Sequence, residues 1–204
     1  MARLLLVRHG ETDLNHVGRL QGHTDVDLSA IGYRQVELLS DSLAAERIDI
    51  IYSSDLRRAA KTAEIIASRH QKPVIASPDL REINYGDLQG LNLDEIAQQF
   101  PDVARVFRTK PLRLKFPGGE SVDQLRARVD RFLGQFKPGP EQTVLIAAHG
   151  GPLRFMICSL LGIDAEHWQQ LQLDPSSLSI ISIYLEITML SRLNDTSHLK
   201  ERRT

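Results

Sequence analysis

The sequence predicts an α/β fold built on a mostly parallel central sheet. Apolar runs without alternation, of the kind found in strands that are buried on both faces, occur at Leu4–Val7 and at Thr143–Ala147. Longer segments whose apolar residues have helical spacing separate these runs, for example between Ser29 and Arg47. Strands that alternate with helices are typical of a sheet whose strands run parallel.

The predicted elements follow one another in a regular order. After loop residues that extend to about Leu28, Ser29 is a suitable N-cap, so we expect the first helix to run from there to Arg47. Further strands are predicted at Ile48–Tyr52, Val74–Ala76 and Thr143–Ala147, and further helices at Asp55–His70, Ser121–Phe136 and Pro152–Leu161. Two closing strands, Leu178–Tyr184 and Ile187–Leu193, are expected to form a hairpin.

The segment from Leu88 to Phe116 does not fit this alternation. Its helical patches, Leu93–Phe100 and Val103–Arg108, are interrupted by prolines. We interpret it as a helical excursion from the sheet that covers a site. Since the sequence contains no repeat, low-complexity tract or long linker, we expect a single domain over residues 1–204.

Composition limits the classes of function. The 204 residues carry a formal net charge of -1, so no overall basic field would attract nucleic acid or an anionic membrane. The single cysteine, Cys158, excludes an intramolecular disulfide and agrees with a reducing cytoplasm. The apolar run at Leu4–Val7 is too short for a signal peptide, and no stretch approaches the roughly 20 apolar residues of a membrane span. We therefore expect a cytoplasmic protein without nucleic-acid or membrane partners.

Two of the predicted strands end in the same dipeptide. Leu4–Gly10 and Val144–Gly150 are both apolar and then close on His-Gly. Ligands of parallel sheets bind at the carboxyl ends of the strands, where the loops leave the sheet. We therefore expect His9 and His149, which are far apart in the sequence, to meet in one crevice.

Arginines follow the same strand ends. The second predicted strand leads into a helix that carries Arg57 and Arg58, and Arg8 directly precedes His9. As a strand neighbour of His9, Arg8 reaches the same side only if the strand has ended there. Guanidinium groups suit phosphate oxygens and stay charged, and a helix that begins near Gly150 would add free backbone N–H groups. These groups together predict a binding site for a dianion.

The pair of histidines indicates covalent phosphoryl chemistry. A neutral imidazole can attack phosphorus, and nearby arginines would lower its pKa and so favour the neutral form. The second imidazole can donate a hydrogen bond to the phosphoryl oxygens as charge spreads over them. A leaving alkoxide needs a proton, for which Glu82 is our candidate donor, with Glu11 and Asp55 as alternatives. Because the sequence has neither a P-loop nor a zinc-binding motif, we predict no metal and no cofactor.

Five motifs give the sequence a resemblance to a known family. They are Arg8-His-Gly-Glu-Thr12, Ser54-Asp-Leu-Arg-Arg-Ala59, Arg81-Glu-Ile-Asn-Tyr-Gly86, Phe116-Pro-Gly-Gly-Glu-Ser121 and Ala148-His-Gly150. With these motifs in this order, the sequence resembles the histidine phosphatase superfamily, the phosphoglycerate mutase-like proteins, over nearly its whole length. The resemblance implies a three-layer α/β sandwich with helices on both faces of a mostly parallel sheet.

The resemblance also implies roles for individual residues. It makes His9 the phosphorylated nucleophile and Glu82 the proton donor. The remainder of the implied phosphate pocket is Arg8, Arg58 (rather than Arg57) and His149. Further candidate substrate contacts are Asn15, Gln21, Gly22 and Gly150 and, in the excursion, Arg113 and Lys115. We expect His23 to lie on the surface.

The superfamily contains mutases and bisphosphatases beside phosphatases. The compactness of this chain favours hydrolysis of a small phosphate monoester over isomerisation. Val17–Gly22, Pro117–Ser121 and Asn194–His198 resemble alpha-ribazole phosphatase, and metal-independent phosphoserine phosphatase is almost as similar. We therefore predict alpha-ribazole 5'-phosphate as the substrate, with phosphoserine or another sugar or acid phosphate as the alternative. Phosphoglycerate mutase activity and a non-catalytic phosphate-binding regulator are further alternatives, and the sequence is compatible with a homodimer formed through an edge strand.

Overall fold

The sheet is the centre of the fold. The computed structural model of the protein describes residues 1–109 and 111–200, without the side chains of residues 108 and 111. The strands are β1 (Ala2–Arg8), β2 (Ile50–Ser53), β3 (Val74–Ala76), β4 (Thr143–Ala148), β5 (Leu178–Ile183) and β6 (Thr188–Asp195). They lie in the order β3-β2-β4-β1-β5-β6. The first four run parallel, whereas β5 pairs antiparallel with β1 and with β6. The prediction of a mostly parallel sheet with a closing hairpin is confirmed.

Helices lie on both faces of this sheet. They are α1 (Asp13–His16), α2 (Ala30–Ser42), α3 (Arg57–His70), α4 (Leu93–Gln99), α5 (Pro101–Thr109), α6 (Val122–Gln135) and α7 (Gly150–Leu161). Leu5 and Val7 of β1 belong to a core cluster with residues of α2 and α3. Leu4 and Leu6, which point to the other face, belong to a cluster with residues of α4, α6 and α7. The predicted three-layer arrangement is therefore confirmed.

Burial of β1 on both faces explains its unbroken apolar sequence. Leu4, Leu5 and Val7 are fully buried. Burying a side chain of this kind stabilises the fold by roughly 1.5–3 kcal/mol relative to leaving it exposed. The apolar strand thus anchors the loop that follows Arg8, where the candidate site begins.

The first long helix is shorter than its sequence predicts. α2 ends at Ser42, not at Arg47. The N–H of Leu43 donates to the carbonyl of Leu39 and so completes the last helical turn. Leu43 and Ile48 are both buried, so the chain has to turn between them to enter β2. The expected loop before Leu28 contains the short helix α1, which is too brief to give a periodic apolar pattern.

The segment from 88 to 116 contains the predicted helices, with a different boundary. Pro101 does not merely interrupt a helix but begins α5, a position where its missing N–H costs nothing. Asn92 caps α4 through a reciprocal bond with Glu95. Phe116 and Ile96 are buried in the same core cluster as α6. Across residues 1–109 and 111–200, every helix is too short or too polar to traverse a bilayer.

Candidate active site

The topology of the sheet brings the two predicted histidines together. His9 follows β1 and His149 follows β4, and these parallel neighbours are in register from Arg3 opposite Thr143 to the strand ends. The centroids of the two imidazole rings are 5.0 Å apart. Both side chains are buried, with exposed fractions of 2% for His9 and 0% for His149.

Hydrogen bonding determines the tautomer of His9. Its Nδ1 lies 2.7 Å from the backbone carbonyl of Gly10. A carbonyl oxygen can only accept, so Nδ1 carries the proton and Nε2 keeps its lone pair. Burial lowers the pKa of His9 well below its ordinary value of 6.5, and the charges of Arg58 and Arg8 lower it further. The ring is therefore neutral and nucleophilic at neutral pH.

Arg58 supplies a buried positive charge beside this nucleophile. Its side chain is fully buried, and its two terminal nitrogens donate to the carbonyls of Thr24 at 2.9 Å and Gly22 at 2.8 Å. Burial lowers the pKa of Arg58 to about 10, so the group stays charged at neutral pH. Its Nε is buried and has no hydrogen-bond partner in the described part of the chain.

Arg8 approaches the site from the other side. One terminal nitrogen donates to the carbonyl of Leu173, which orients the guanidinium. Its Nε, like that of Arg58, is buried without a partner in residues 1–109 and 111–200. Two guanidinium groups that each keep a donor free form a site suited to an anion with several oxygens.

The second histidine, His149, is oriented by a contact with Ser54. Nε2 of His149 lies 2.9 Å from the hydroxyl of Ser54, whereas Nδ1 is buried without a partner among the described residues. Burial lowers the pKa of His149 well below 6.5, and the charge of Arg58 adds to this effect. His149 also occupies the position before the first residue of α7. A neutral imidazole in this place can offer a single hydrogen bond to an anion.

Glu82 is fixed at the N-terminus of α7. One carboxylate oxygen accepts from the backbone N–H of Ile83 at 2.9 Å, and the N–H of Gly151 lies 3.1 and 3.3 Å from the two oxygens. The alternative acid Asp55 is paired with Arg81 at 2.7 and 2.6 Å. Of the carboxylates in the described residues, Glu82 is the one that lines the cavity beside His9.

The backbone of Glu82 is held as firmly as its side chain. Its carbonyl accepts from Nη2 of Arg128 at 2.8 Å and lies 2.8 Å from Nε2 of His23. Arg128 is itself paired with Glu120 at 2.9 Å. His23, which the sequence analysis places on the surface, is partly buried, and its ring contacts the segment that carries the acid.

Four of the predicted pocket residues, Arg8, His9, Arg58 and Glu82, line one small cavity of ≈ 90 Å³, whereas His149 packs against His9 and is not among the lining residues. The lining residues are Arg8, His9, Asn15, Arg19, Leu20, Gln21, Gly22, Arg58, Glu82 and Tyr85. Pockets that enclose drug-sized ligands have volumes of roughly 300–1,000 Å³. The cavity is therefore of a size to take one phosphoryl group and to leave the remainder of a substrate outside.

Comparison with known proteins identifies the family. The model of the histidine phosphatase superfamily (branch 1) matches residues 4–196. The chain belongs to the histidine phosphatase superfamily. It is 37% identical over 202 residues to phosphoserine phosphatase 1 of Hydrogenobacter thermophilus, covering 98% of this chain and 96% of that protein. It is also 34% identical over 203 residues to the metal-independent phosphoserine phosphatase of Arabidopsis thaliana, covering 98% and 84% of the two chains.

Solved structures are similar to this chain over nearly its whole length. A putative alpha-ribazole-5'-P phosphatase from Escherichia coli superposes with a TM-score of 0.88 at 30% identity, covering 96% of this chain and 97% of that one. The resemblance that the motifs indicate is thereby confirmed, and this superfamily member is a phosphatase. In the described part of the chain, no three or more histidine, cysteine or acidic side chains cluster as metal ligands would.

The structure separates the other predicted contact residues into two groups. Asn15, Gln21 and Gly22 line the phosphatase cavity, whereas Arg113 and Lys115 are exposed and lie outside it. Gly150 also lies outside the lining. Even so, a Cβ atom at Gly150 would be 3.8 Å from a carboxylate oxygen of Glu82 and 3.9 Å from Nε of Arg8. As contacts to a bound substrate, all six residues stay predictions.

Sequence reasoning missed three lining residues and two supporting residues. The missed lining residues are Arg19, Leu20 and Tyr85. Tyr85 lies inside a quoted motif of the superfamily, and its ring packs edge-on against Phe116 at a centroid distance of 4.9 Å. Burial and the charge of Glu82 raise the pKa of Tyr85, so its phenol stays a proton donor. The missed supporting residues are Arg128, which donates to the Glu82 carbonyl, and Ser54, which begins the quoted motif Ser54–Ala59 but was assigned no role there.

Proposed function

We propose that the chain hydrolyses a small phosphate monoester through a covalent phosphohistidine on His9. The observation that carries the proposal is the bond from Nδ1 of His9 to the Gly10 carbonyl, which leaves Nε2 free in a cavity lined by Arg8, Arg19 and Arg58. The cavity has room for the phosphoryl group, and its lining contains three arginines against one carboxylate, Glu82. This is the arrangement that nucleophilic catalysis by an imidazole requires.

The first step transfers the phosphoryl group to the enzyme. The lone pair on Nε2 of His9 attacks phosphorus, the ester P–O bond breaks, and Glu82 gives its proton to the departing alkoxide. Negative charge that develops on the phosphoryl oxygens meets Arg8, Arg58 and the N–H of His149. These donors are held in place before the reaction begins, so their reorganisation costs little.

The second step returns the enzyme to its starting state. A water molecule attacks the phosphohistidine, the P–N bond breaks, and the carboxylate of Glu82 accepts the proton of the water. Orthophosphate leaves, and Nε2 of His9 again holds a lone pair. Because the arginines provide the positive charge throughout, the proposed cycle needs no metal ion.

Two substrates are supported by different observations. The similarity to the phosphoserine phosphatases of Hydrogenobacter and Arabidopsis favours phosphoserine, because these relatives have 37% and 34% identity. The resemblance of Val17–Gly22 and Asn194–His198, together with the structural similarity to an alpha-ribazole-5'-P phosphatase, favours alpha-ribazole 5'-phosphate. Both are phosphate monoesters of a primary alcohol, which would place the phosphoryl end in the cavity and the remainder of the molecule outside it.

The direct test is a phosphate-release screen over metabolite monoesters, including phosphoserine, alpha-ribazole 5'-phosphate and 3-phosphoglycerate, without any bisphosphate primer. We expect release from wild type and none from His9→Ala. His16→Ala, which alters an exposed histidine of α1, is the matched control and should retain the rate. A mutase that needs a primer would release no phosphate here, and activity in His9→Ala would contradict the proposal.

The role of the acid has its own test. Glu82→Gln should slow hydrolysis of alkyl phosphates far more than hydrolysis of p-nitrophenyl phosphate, whose leaving group needs little protonation. Glu11→Gln alters the alternative carboxylate, which accepts from Ser29 at 3.2 Å and does not line the cavity, and should change neither rate. Equal losses on both substrates in Glu82→Gln would remove Glu82 from this role. EDTA should leave the rate of wild type unchanged.

We also infer a cytoplasmic location, since the single cysteine agrees with a reducing compartment. Cell fractionation tests this inference. A homodimer through an edge strand stays a prediction that light scattering of the purified protein decides.

A further inference from the structure

Ser54 connects the end of β2 to the second histidine. Its side chain is fully buried, and its hydroxyl lies 2.9 Å from Nε2 of His149. The same hydroxyl accepts from the backbone N–H of Leu56 at 3.2 Å. The backbone N–H of Ser54 donates to the carbonyl of Ala147 in β4 at 3.0 Å, so its position is fixed from both strands.

The bond to Leu56 limits what the hydroxyl can do. A serine hydroxyl has one proton and two lone pairs, and the N–H of Leu56 occupies one lone pair. The neutral imidazole of His149 has one nitrogen that donates and one that accepts. If the hydroxyl proton goes to Nε2, both groups at this contact are satisfied. Nδ1 of His149 then carries the ring proton.

The other nitrogen of the ring fits this assignment. Nδ1 of His149 is buried and has no hydrogen-bond partner among the described residues. The ring lies 5.0 Å from that of His9, beside two guanidinium groups that also keep a buried nitrogen free. Under the proposed function, in which His149 contacts the phosphoryl group, the opposite tautomer would direct a bare lone pair on Nδ1 toward the phosphoryl oxygens, which is a repulsive contact.

We propose that Ser54 is a positioning residue, which donates its proton to Nε2 of His149 and so fixes the tautomer whose Nδ1–H binds the transferring phosphoryl group. Ser54 does not touch the substrate and acts through His149. The nature of the ligand rests on the proposed function, whereas the tautomer itself does not.

The first test measures the tautomer of His149 directly in the wild-type protein. Long-range ¹H–¹⁵N correlation spectra of the ¹⁵N-labelled protein at pH 7.5 distinguish a protonated from a bare ring nitrogen, and His149→Gln assigns the resonances. We expect a protonated Nδ1 and a bare Nε2 in His149 of wild type. A protonated Nε2, or protons on both nitrogens, would overturn the inference whether or not the protein hydrolyses a monoester.

Substitution then tests the cause. Ser54→Ala should yield a mixture of both tautomers, lower kcat and weaken vanadate inhibition, each by about tenfold, and change KM by less than about twofold. Ser54→Thr keeps the hydroxyl and should restore the wild-type tautomer and rate. The matched control is Ser53→Ala, because the hydroxyl of Ser53 is also buried but donates to the Ser54 carbonyl at 2.8 Å, away from the ring.

The outcomes separate the two proposals. An unchanged tautomer and unchanged vanadate inhibition in Ser54→Ala would overturn the positioning role. Equal losses in Ser53→Ala and Ser54→Ala would also overturn it, because they would reflect general disruption of the strand end. Absence of turnover in wild type on every monoester would contradict the proposed function, while the spectrum of His149 would still decide the role of Ser54.

Discussion

Gly151 gives the sharpest test of how the acid is positioned. A Cβ atom at this residue would lie 2.3 Å from a carboxylate oxygen of Glu82, whereas real Cβ atoms essentially never come closer than 3.0 Å. In Gly151→Ala, the carboxylate therefore has to move by at least about 0.7 Å, since α7 is held by its own hydrogen bonds. The same shift weakens its bond from the N–H of Gly151, which is 3.1 Å long in the native arrangement.

The expected loss follows from this displacement. A misplacement of about 1 Å in a reacting group can cost about a hundredfold in rate. We expect Gly151→Ala to lower kcat on alkyl phosphates by up to about a hundredfold. On p-nitrophenyl phosphate the loss should be less than about fivefold, because an alkoxide leaving group needs a proton from the acid whereas p-nitrophenolate does not. Steady-state kinetics on both substrates measures the difference.

Gly134 in α6 is the matched control. It is exposed, and a Cβ atom there would meet nothing within 4 Å. Gly134→Ala should raise the free energy of unfolding by about 0.5–1 kcal/mol through helix propensity and leave both rates unchanged. Equal losses on the two substrates in Gly151→Ala, or no loss on either, would refute the reasoning about the acid.

Three further substitutions test the charges of the site. Arg58→Lys keeps the positive charge, but an ammonium group cannot donate to both carbonyls and to an anion at once. We therefore expect kcat/KM and vanadate affinity to fall by about 10²–10³. Arg57→Lys, at an exposed neighbouring arginine, is the control and should change both quantities by less than about twofold. Equal losses in Arg58→Lys and Arg57→Lys would refute the assignment of Arg58 to the phosphate pocket. The lowered pKa of His9 means that the unfolded chain binds a proton below about pH 6.5 that the folded chain does not. Relative to His9→Asn, wild type should therefore lose stability by up to about 1.4 kcal/mol per pH unit as the pH falls below 6.5, measured by urea unfolding; parallel curves would contradict the depressed pKa. Arg128→Met leaves Glu120 without its partner and should lower the free energy of unfolding by about 3 kcal/mol. Restoration of part of the loss by adding Glu120→Gln would show that the unpaired charge is the cause.

The meeting of the two histidines could be predicted from sequence because it depends on the backbone. Each follows an apolar strand, and parallel neighbours end at the same edge, so His9 and His149 converge whatever the details of packing. Arg58 is buried and Arg57 is 55% exposed because neighbouring residues point to different sides of α3. The sequence alone does not show which side of this helix faces the site. The choice of Arg58 over Arg57 therefore came from the family resemblance.

The supporting contacts could not be predicted. His23 and Arg128 bind the Glu82 carbonyl through their side chains, from positions 59 and 46 residues away in the sequence. Contacts of this kind produce no periodic pattern in the sequence. The contact of Ser54 with His149 spans 95 positions and is invisible for the same reason. The sequence predicted the strand-end scaffold well, whereas the groups that orient the chemistry required coordinates.

The measurement that tests the central claim most directly is trapping of the phosphoenzyme. Wild type is mixed with a ³²P-labelled monoester, quenched in alkali within milliseconds and digested, and the labelled peptide is located by mass spectrometry. We expect the label on His9, stable in base and lost in mild acid, as a P–N bond requires, and no label in His9→Ala. An acid-stable label, or a label on any other residue, would contradict the account.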